Sequence, residues 1–128
     1  MLHTLKVRSR AREELVEFTD EAQQKLTDSG AQEGVVVLYV QHTTAGLTVN
    51  ENADPDVLTD LTKALRAMIP NVGFRHAEGN SDAHLISTMI GVSLSWPYKH
   101  GKLILGTWQG IYFIELDGPR ERRVTVYV

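Results

Sequence analysis

The run Gly34-Val35-Val36-Val37-Leu38-Tyr39-Val40 limits the possible folds more than any other stretch. It is β-branched and apolar at consecutive positions, so it reads as a central strand buried on both faces. It is far too short to span a bilayer as a helix. Such a strand needs partners on both edges and cover on both faces, which commits the chain to a layered sheet fold. The 128 residues are 42% hydrophobic, enough for one core. No repeat, low-complexity segment or Ser/Pro-rich linker interrupts them, so residues 1–128 are expected to form one domain.

The flanking patterns fill in the rest. Leu2–Arg8 alternates, with Leu5 and Val7 on one side and Lys6 and Arg8 on the other, as a half-buried strand does. Glu13–Phe18 is a second strand candidate. A helix follows, with Thr19 as N-cap, Asp20 and Glu21 in the first turn and Gly30 just past its end. Leu47–Asn50 is expected to pair with the valine run as an antiparallel hairpin across Gln41–Gly46. Asp54-Pro55-Asp56 is a strong helix start, and Leu58, Leu61, Leu65 and Met68 share one face before Pro70. A third helix is placed from Asn80 or Ser81 to Gly91, with Leu85, Ile86, Met89 and Ile90 as its stripe. Strands are read at Leu103–Leu105, Gly110–Leu116 and Arg123–Val128. Helices grouped between strand pairs indicate an α+β fold with a largely antiparallel sheet.

Thirteen basic and sixteen acidic residues give a net charge of −3, which argues against nucleic acid as a partner. No signal-peptide core or membrane span is visible, so no membrane partner is expected and the cytoplasm is the default location. The chain has no cysteine, which excludes disulfides, a thiolate nucleophile and a cysteine zinc site.

Four polar stretches can carry chemistry. His76-Ala77-Glu78-Gly79-Asn80-Ser81-Asp82-Ala83-His84 combines imidazoles and oxygen donors with a helix start, where anions bind. The ordinary alternative is a polar loop followed by an N-cap, and the spacing is not a strict metal signature. Gln41-His42-Thr43-Thr44-Ala45-Gly46 is either a ligand-facing connection or a turn with Thr at its corners. In Asn50–Asp56, Asp54 and Asp56 read best as caps, while Glu51 is a candidate base or Mg²⁺ ligand. Trp108, in Gly106-Thr107-Trp108-Gln109-Gly110, can stack on a planar ring or serve the core. Arg120, after Asp117-Gly118-Pro119, can clamp phosphate. Arg122 and Arg123 read as a solvated strand edge.

Taken in order, His42-Thr43-Thr44-Ala45, Asn50-Glu51 with Asp54-Pro55, His76, Asn80, Ala83-His84-Leu85, Gly106–Gln109 and Glu115–Arg120 resemble the YjbQ family, which is also described as secondary thiamine-phosphate synthases. The resemblance spans nearly the whole chain. It implies a three-layer α+β fold with about three helices, a homotrimer, and a transferase joining hydroxymethylpyrimidine diphosphate to thiazole phosphate. It also implies a divalent metal, Zn²⁺ or Mg²⁺, at His42, His76 and His84, with Glu78 a weaker member. Glu51, His84 and Arg120 are then the catalytic candidates. Thr43, Thr44, Asn80, Ser81, Trp108 and Gln109 would touch a small phosphorylated substrate. Three imidazoles suit Zn²⁺ better than Mg²⁺, which prefers oxygen. Two other readings use the same residues: a metal-dependent hydrolase of a small phosphorylated metabolite, and a non-catalytic metal or ligand binder.

Overall fold

The computed structural model describes residues 1–70, 72–76 and 79–128. Glu78 therefore lies outside the described residues. The elements in chain order are β1 (Leu2–Arg8), β2 (Glu14–Glu17), α1 (Thr19–Ser29), β3 (Glu33–Tyr39), β4 (Ala45–Glu51), α2 (Pro55–Ala67), α3 (Ser81–Ile90), β5 (Ser93–Lys99), β6 (Lys102–Leu103), β7 (Gln109–Glu115) and β8 (Glu121–Tyr127). They form an α+β fold with two sheets. One runs β1-β8-β3-β5-β6 and the other β2-β7-β4, and every pairing is antiparallel.

The layers follow from side-chain alternation. In the five-stranded sheet Leu5, Val7, Val36, Leu38, Val124 and Val126 point inward, where they meet Leu47, Ile111 and Phe113 of the three-stranded sheet and Ala22 and Leu26 of α1. The opposite face of the three-stranded sheet presents Ile114, which packs with Ala83 and Ile86 of α3 and Leu65 and Ile69 near α2. The order is sheet, sheet, helices, and it explains why β7 is buried from Gly110 to Glu115. At Gly46 an added Cβ would stand 2.9 Å from the Gly91 carbonyl oxygen. Glycine there lets α3 close onto β4.

Several expectations change. The valine run is not buried on both faces: Val36 is 1% exposed but Val35 is 57% exposed, because nothing among the described residues covers the outer face of its sheet there. The β3–β4 hairpin does not form. The two strands enter different sheets, and Val40–Thr44 is the crossing between them. Thr19 does not cap α1. Phe18 holds that position without a side-chain bond, and the Thr19 hydroxyl accepts from the Ile111 N–H at 2.8 Å instead. Asp54 does cap α2, accepting from the Asp56 N–H at 2.9 Å. The Met68 and Met89 side chains, placed on buried stripes, are each 62% exposed. Strand β5 went unread because Pro97 interrupts it. The residue is tolerated where the short β6 covers only Tyr98 and Lys99.

Candidate functional site

Two connections cross from one sheet to the other at the same end of the sandwich, Val40–Thr44 between β3 and β4 and Leu116–Arg120 between β7 and β8. The N-terminus of α3 lies beside them. Together with Gln41 and Arg122, the residues His42, Thr43, Thr44, His76, Asn80, His84, Asp117 and Arg120 line a polar cavity of about 450 Å³. Asn80 and His84 are one helical turn apart and so share a face of α3. The His76 and His84 rings meet edge to face, with centroids 5.4 Å apart and planes at 84°.

Beneath the cavity is a buried ionic link between the sheets. Glu115 is in phase with Ile111 and Phe113, and Arg122 with Val124 and Val126, so alternation turns both inward. They are 0% and 2% exposed. Arg122 Nε donates to both Glu115 carboxylate oxygens at 3.0 and 3.1 Å. Its Nη2 donates to the Thr44 hydroxyl at 2.9 Å and to the Thr44 carbonyl oxygen at 3.2 Å. The Ser9 hydroxyl donates to Glu115 Oε1 at 2.7 Å. Burial pushes the Glu115 carboxyl up, but the hydrogen bonds from Arg122, Ser9 and the Asp117 N–H, with the Arg122 charge, hold it below its ordinary value. Nearby, the Gly118 N–H donates to the Arg12 carbonyl oxygen at 3.0 Å. An added Cβ at Gly118 would stand 2.5 Å from the Ala11 oxygen, so only glycine lets this turn seat against the Ser9–Arg12 segment.

His42 Nε2 accepts from the Arg123 backbone N–H at 3.2 Å. Desolvation and then the Arg122 charge lower its pKa, with Glu115 partly opposing. His42 is therefore neutral at neutral pH, and with Nε2 accepting, its proton sits on Nδ1. Asp117 Oδ2 accepts from Asn80 Nδ2 at 2.9 Å and from Arg120 Nη2 at 3.0 Å. Arg120 Nε also donates to the Asp117 carbonyl oxygen at 3.0 Å. Asp117 thus orients the half-exposed Arg120 fork and, among the described residues, is the only carboxylate lining the cavity.

Of the residues proposed from sequence, His42, Thr43, Thr44, His76, Asn80, His84 and Arg120 come together. Glu51, Ser81, Trp108 and Gln109 do not line this cavity. Glu51 ends β4, where its carbonyl oxygen accepts from the Tyr112 hydroxyl at 2.9 Å. Trp108 is 63% exposed in the loop before β7, and Gln109 closes that loop by accepting from the Gly106 N–H at 2.8 Å. Ser81 opens α3 without bordering the cavity. Gln41, Asp117 and Arg122 were missed. Arg122 had been read as a solvated edge, although its phase with Val124 and Val126 marks it as inward-facing.

The metal expectation fits in part. Three imidazoles border one cavity, and the His76–His84 spacing matches roughly the 5 Å that two rings on one tetrahedral ion would show. Among the described residues, however, no three His, Asp or Glu side chains stand at ligating spacing, and the His42 Nε2 lone pair is turned to Arg123. His76 and His84 are the pair that would hold an ion. It would supply Lewis acidity beside Arg120.

A fold of this kind with a histidine-lined polar cavity defines the class, and the comparisons with known proteins identify the family. The family described as UPF0047 protein YjbQ-like matches residues 3–128, and the chain belongs to it. UPF0047 protein MJ1081 of Methanocaldococcus jannaschii is 47% identical, covering 100% of this chain and 94% of that protein. UPF0047 protein YugU of Bacillus subtilis is 45% identical, covering 100% and 97%. A crystal structure from Clostridium acetobutylicum, described as an uncharacterized conserved protein of the yjbq/upf0047 family, superposes with a TM-score of 0.93 at 42% identity and 98% coverage of both chains. A Sulfolobus solfataricus structure, described as a YbjQ-like protein of unknown function, does so with a TM-score of 0.92 at 34% identity, covering 98% of this chain and 94% of that one.

The thiamine-phosphate synthase expectation is overturned. The relatives matching across the whole chain carry the UPF0047 designation with no such activity. The geometry agrees, because Trp108 and Gln109, both expected to touch the substrate, do not line the cavity. No helix among the described residues is long and apolar enough to cross a membrane.

Proposed function

We propose that this protein binds a small phosphorylated or otherwise oxyanionic metabolite in the cavity at the α3 N-terminus. The observation that supports this reading is the convergence of His42, His76, His84, Arg120 and Arg122 from separate parts of the chain on one polar cavity. The one carboxylate that lines it among the described residues, Asp117, is already paired with Arg120. Arg120 offers an oriented planar fork, which suits phosphate or carboxylate oxygens. His42 Nδ1 offers a neutral donor, and His76 and His84 offer ring nitrogens for further hydrogen bonds. Calorimetric titration of phosphate monoesters against a chloride control tests the reading. Saturable binding that weakens about tenfold in Arg120→Ala is expected, a loss of about 1.4 kcal/mol. Equal binding by that variant would overturn it.

The edge-to-face pair His76–His84 favours a second reading in which a divalent transition metal joins the site, with Zn²⁺ better matched than Mg²⁺. Metal analysis of untagged protein should then find stoichiometric metal that is lost in both His76→Ala and His84→Ala. Phosphate binding that is unchanged by a chelator would contradict it. Association into trimers is also proposed. The outer face of the five-stranded sheet exposes Leu2, Val35 and Tyr127, with Leu2 and Val37 both directly opposite Tyr127, and a second copy can cover it. Sedimentation of a strictly monomeric species at micromolar concentration would count against this.

A further inference from the structure

We infer that the ligand of this cavity carries a hydrogen-bond donor, a hydroxyl or an amine, close to its oxyanion, and that Asn80 Oδ1 receives it. The inference deepens the oxyanion reading and rests on it. Asn80 is 8% exposed and borders the cavity. Its Nδ2 donates to Asp117 Oδ2. A carboxylate only accepts, so the amide cannot be reversed without setting oxygen against oxygen, and Oδ1 is fixed as the remaining end. That atom is buried and, among the described residues, meets no donor.

The ordinary use of an asparagine at this position is absent. Asn80 is the N-cap residue of α3 but makes no side-chain cap bond. The N–H groups of Ala83 and His84 go to its backbone carbonyl oxygen instead. Buried polar atoms are nearly always hydrogen-bonded. Asp117, itself held by Arg120, keeps the amide from turning to another partner. The acceptor is buried in a residue that borders the cavity, so the donor for it arrives with a ligand.

Arg122 supplies the complementary half. Its Nε and Nη2 are committed to Glu115 and Thr44, while its Nη1 donates to nothing among the described residues. A fully ionised anion satisfies such donors but leaves Asn80 Oδ1 facing more oxygen. A hydroxylated phosphate ester or a hydroxy acid satisfies both.

Two probes of equal charge and similar size separate the possibilities, glycerol phosphate and propyl phosphate, titrated calorimetrically at neutral pH. Wild-type protein should bind glycerol phosphate about tenfold more tightly, because only that probe pairs the buried acceptor. Asn80→Leu should lose the preference and bind the two probes alike, whatever its affinity for either, with far-UV circular dichroism confirming the fold. Equal binding of both probes by wild type, which needs no variant, would overturn the inference, as would a preference that survives in Asn80→Leu. If neither probe binds above the chloride control, the oxyanion reading itself fails, and the inference with it.

Discussion

The cavity has two walls built on different terms. The strand wall, His42 to Thr44 with Arg122, rests on the buried Glu115–Arg122 link. There Nε and Nη2 of Arg122 both have partners, and the His42 ring is held by a backbone N–H. The helix wall, His76, Asn80 and His84, keeps a buried acceptor that meets no donor among the described residues and two rings in edge-to-face contact. The strand wall is organised before any ligand arrives. The helix wall is where an arriving ligand has bonds to make. Stability should therefore respond to changes in the first and binding to changes in the second.

The largest expected effect is on the strand wall. Glu115→Ala leaves the Arg122 charge buried and unpaired, and should cost about 3–5 kcal/mol in urea unfolding. Replacing both partners by apolar residues, Glu115→Met with Arg122→Leu, should restore most of that stability while still weakening phosphate binding, because Thr44 loses its donor. A double variant as unstable as Glu115→Ala would break the comparison. The helix wall comes next, in the opposite sense. His76→Ala and His84→Ala should each weaken phosphate binding about tenfold, yet move unfolding by only about 0.5 kcal/mol.

The pH dependence of stability separates the walls further. Glu115 has a folded pKa below its ordinary value. Its contribution is complete above the unfolded pKa and is lost as pH falls through the acidic range towards the folded one. His42 is also lowered from 6.5, so the unfolded chain takes up a proton first. Stability should fall as pH drops below 6.5, and His42→Gln should remove that part of the slope. A His42→Gln profile identical to wild type would contradict the assignment. The smallest effect lies outside both walls. Asp82 near the start of α3 pairs with Arg12 at 3.1 Å and Arg66 at 3.3 Å, and Arg66 is half-exposed. Arg66→Ala should cost about 0–1 kcal/mol, less in high salt.

The sequence was legible where the physics is local. Asp54-Pro55 starts α2 because a cap and a fixed φ act within one turn, and Gly30 ends α1 in the left-handed conformation its φ of 73° requires. The valine run marked a strand, but not which sheet it joins or whether its second face is covered, because both depend on distant partners. The site divides the same way. His76, Asn80 and His84 lie close in sequence, and their grouping could be read. His42 and Arg120 were each readable in their own polar stretch, and only the ordered motifs tied them to His76 and His84. Arg122 was legible in its alternation with Val124 and Val126, but a charge at an inward position was discounted because its partner, Glu115, lies on another strand. Trp108 and Glu51 were motif residues whose folded surroundings lie elsewhere.

The central claim is that both walls serve one oxyanion. Histidine-resolved NMR during titration with inorganic phosphate tests it most directly. If it holds, the ring signals of His42, His76 and His84 shift along one saturable curve while those of His3 and His100 stay in place, and Arg120→Ala moves the whole curve to higher phosphate. Signals that do not saturate, or that move alike for all five histidines, would contradict it.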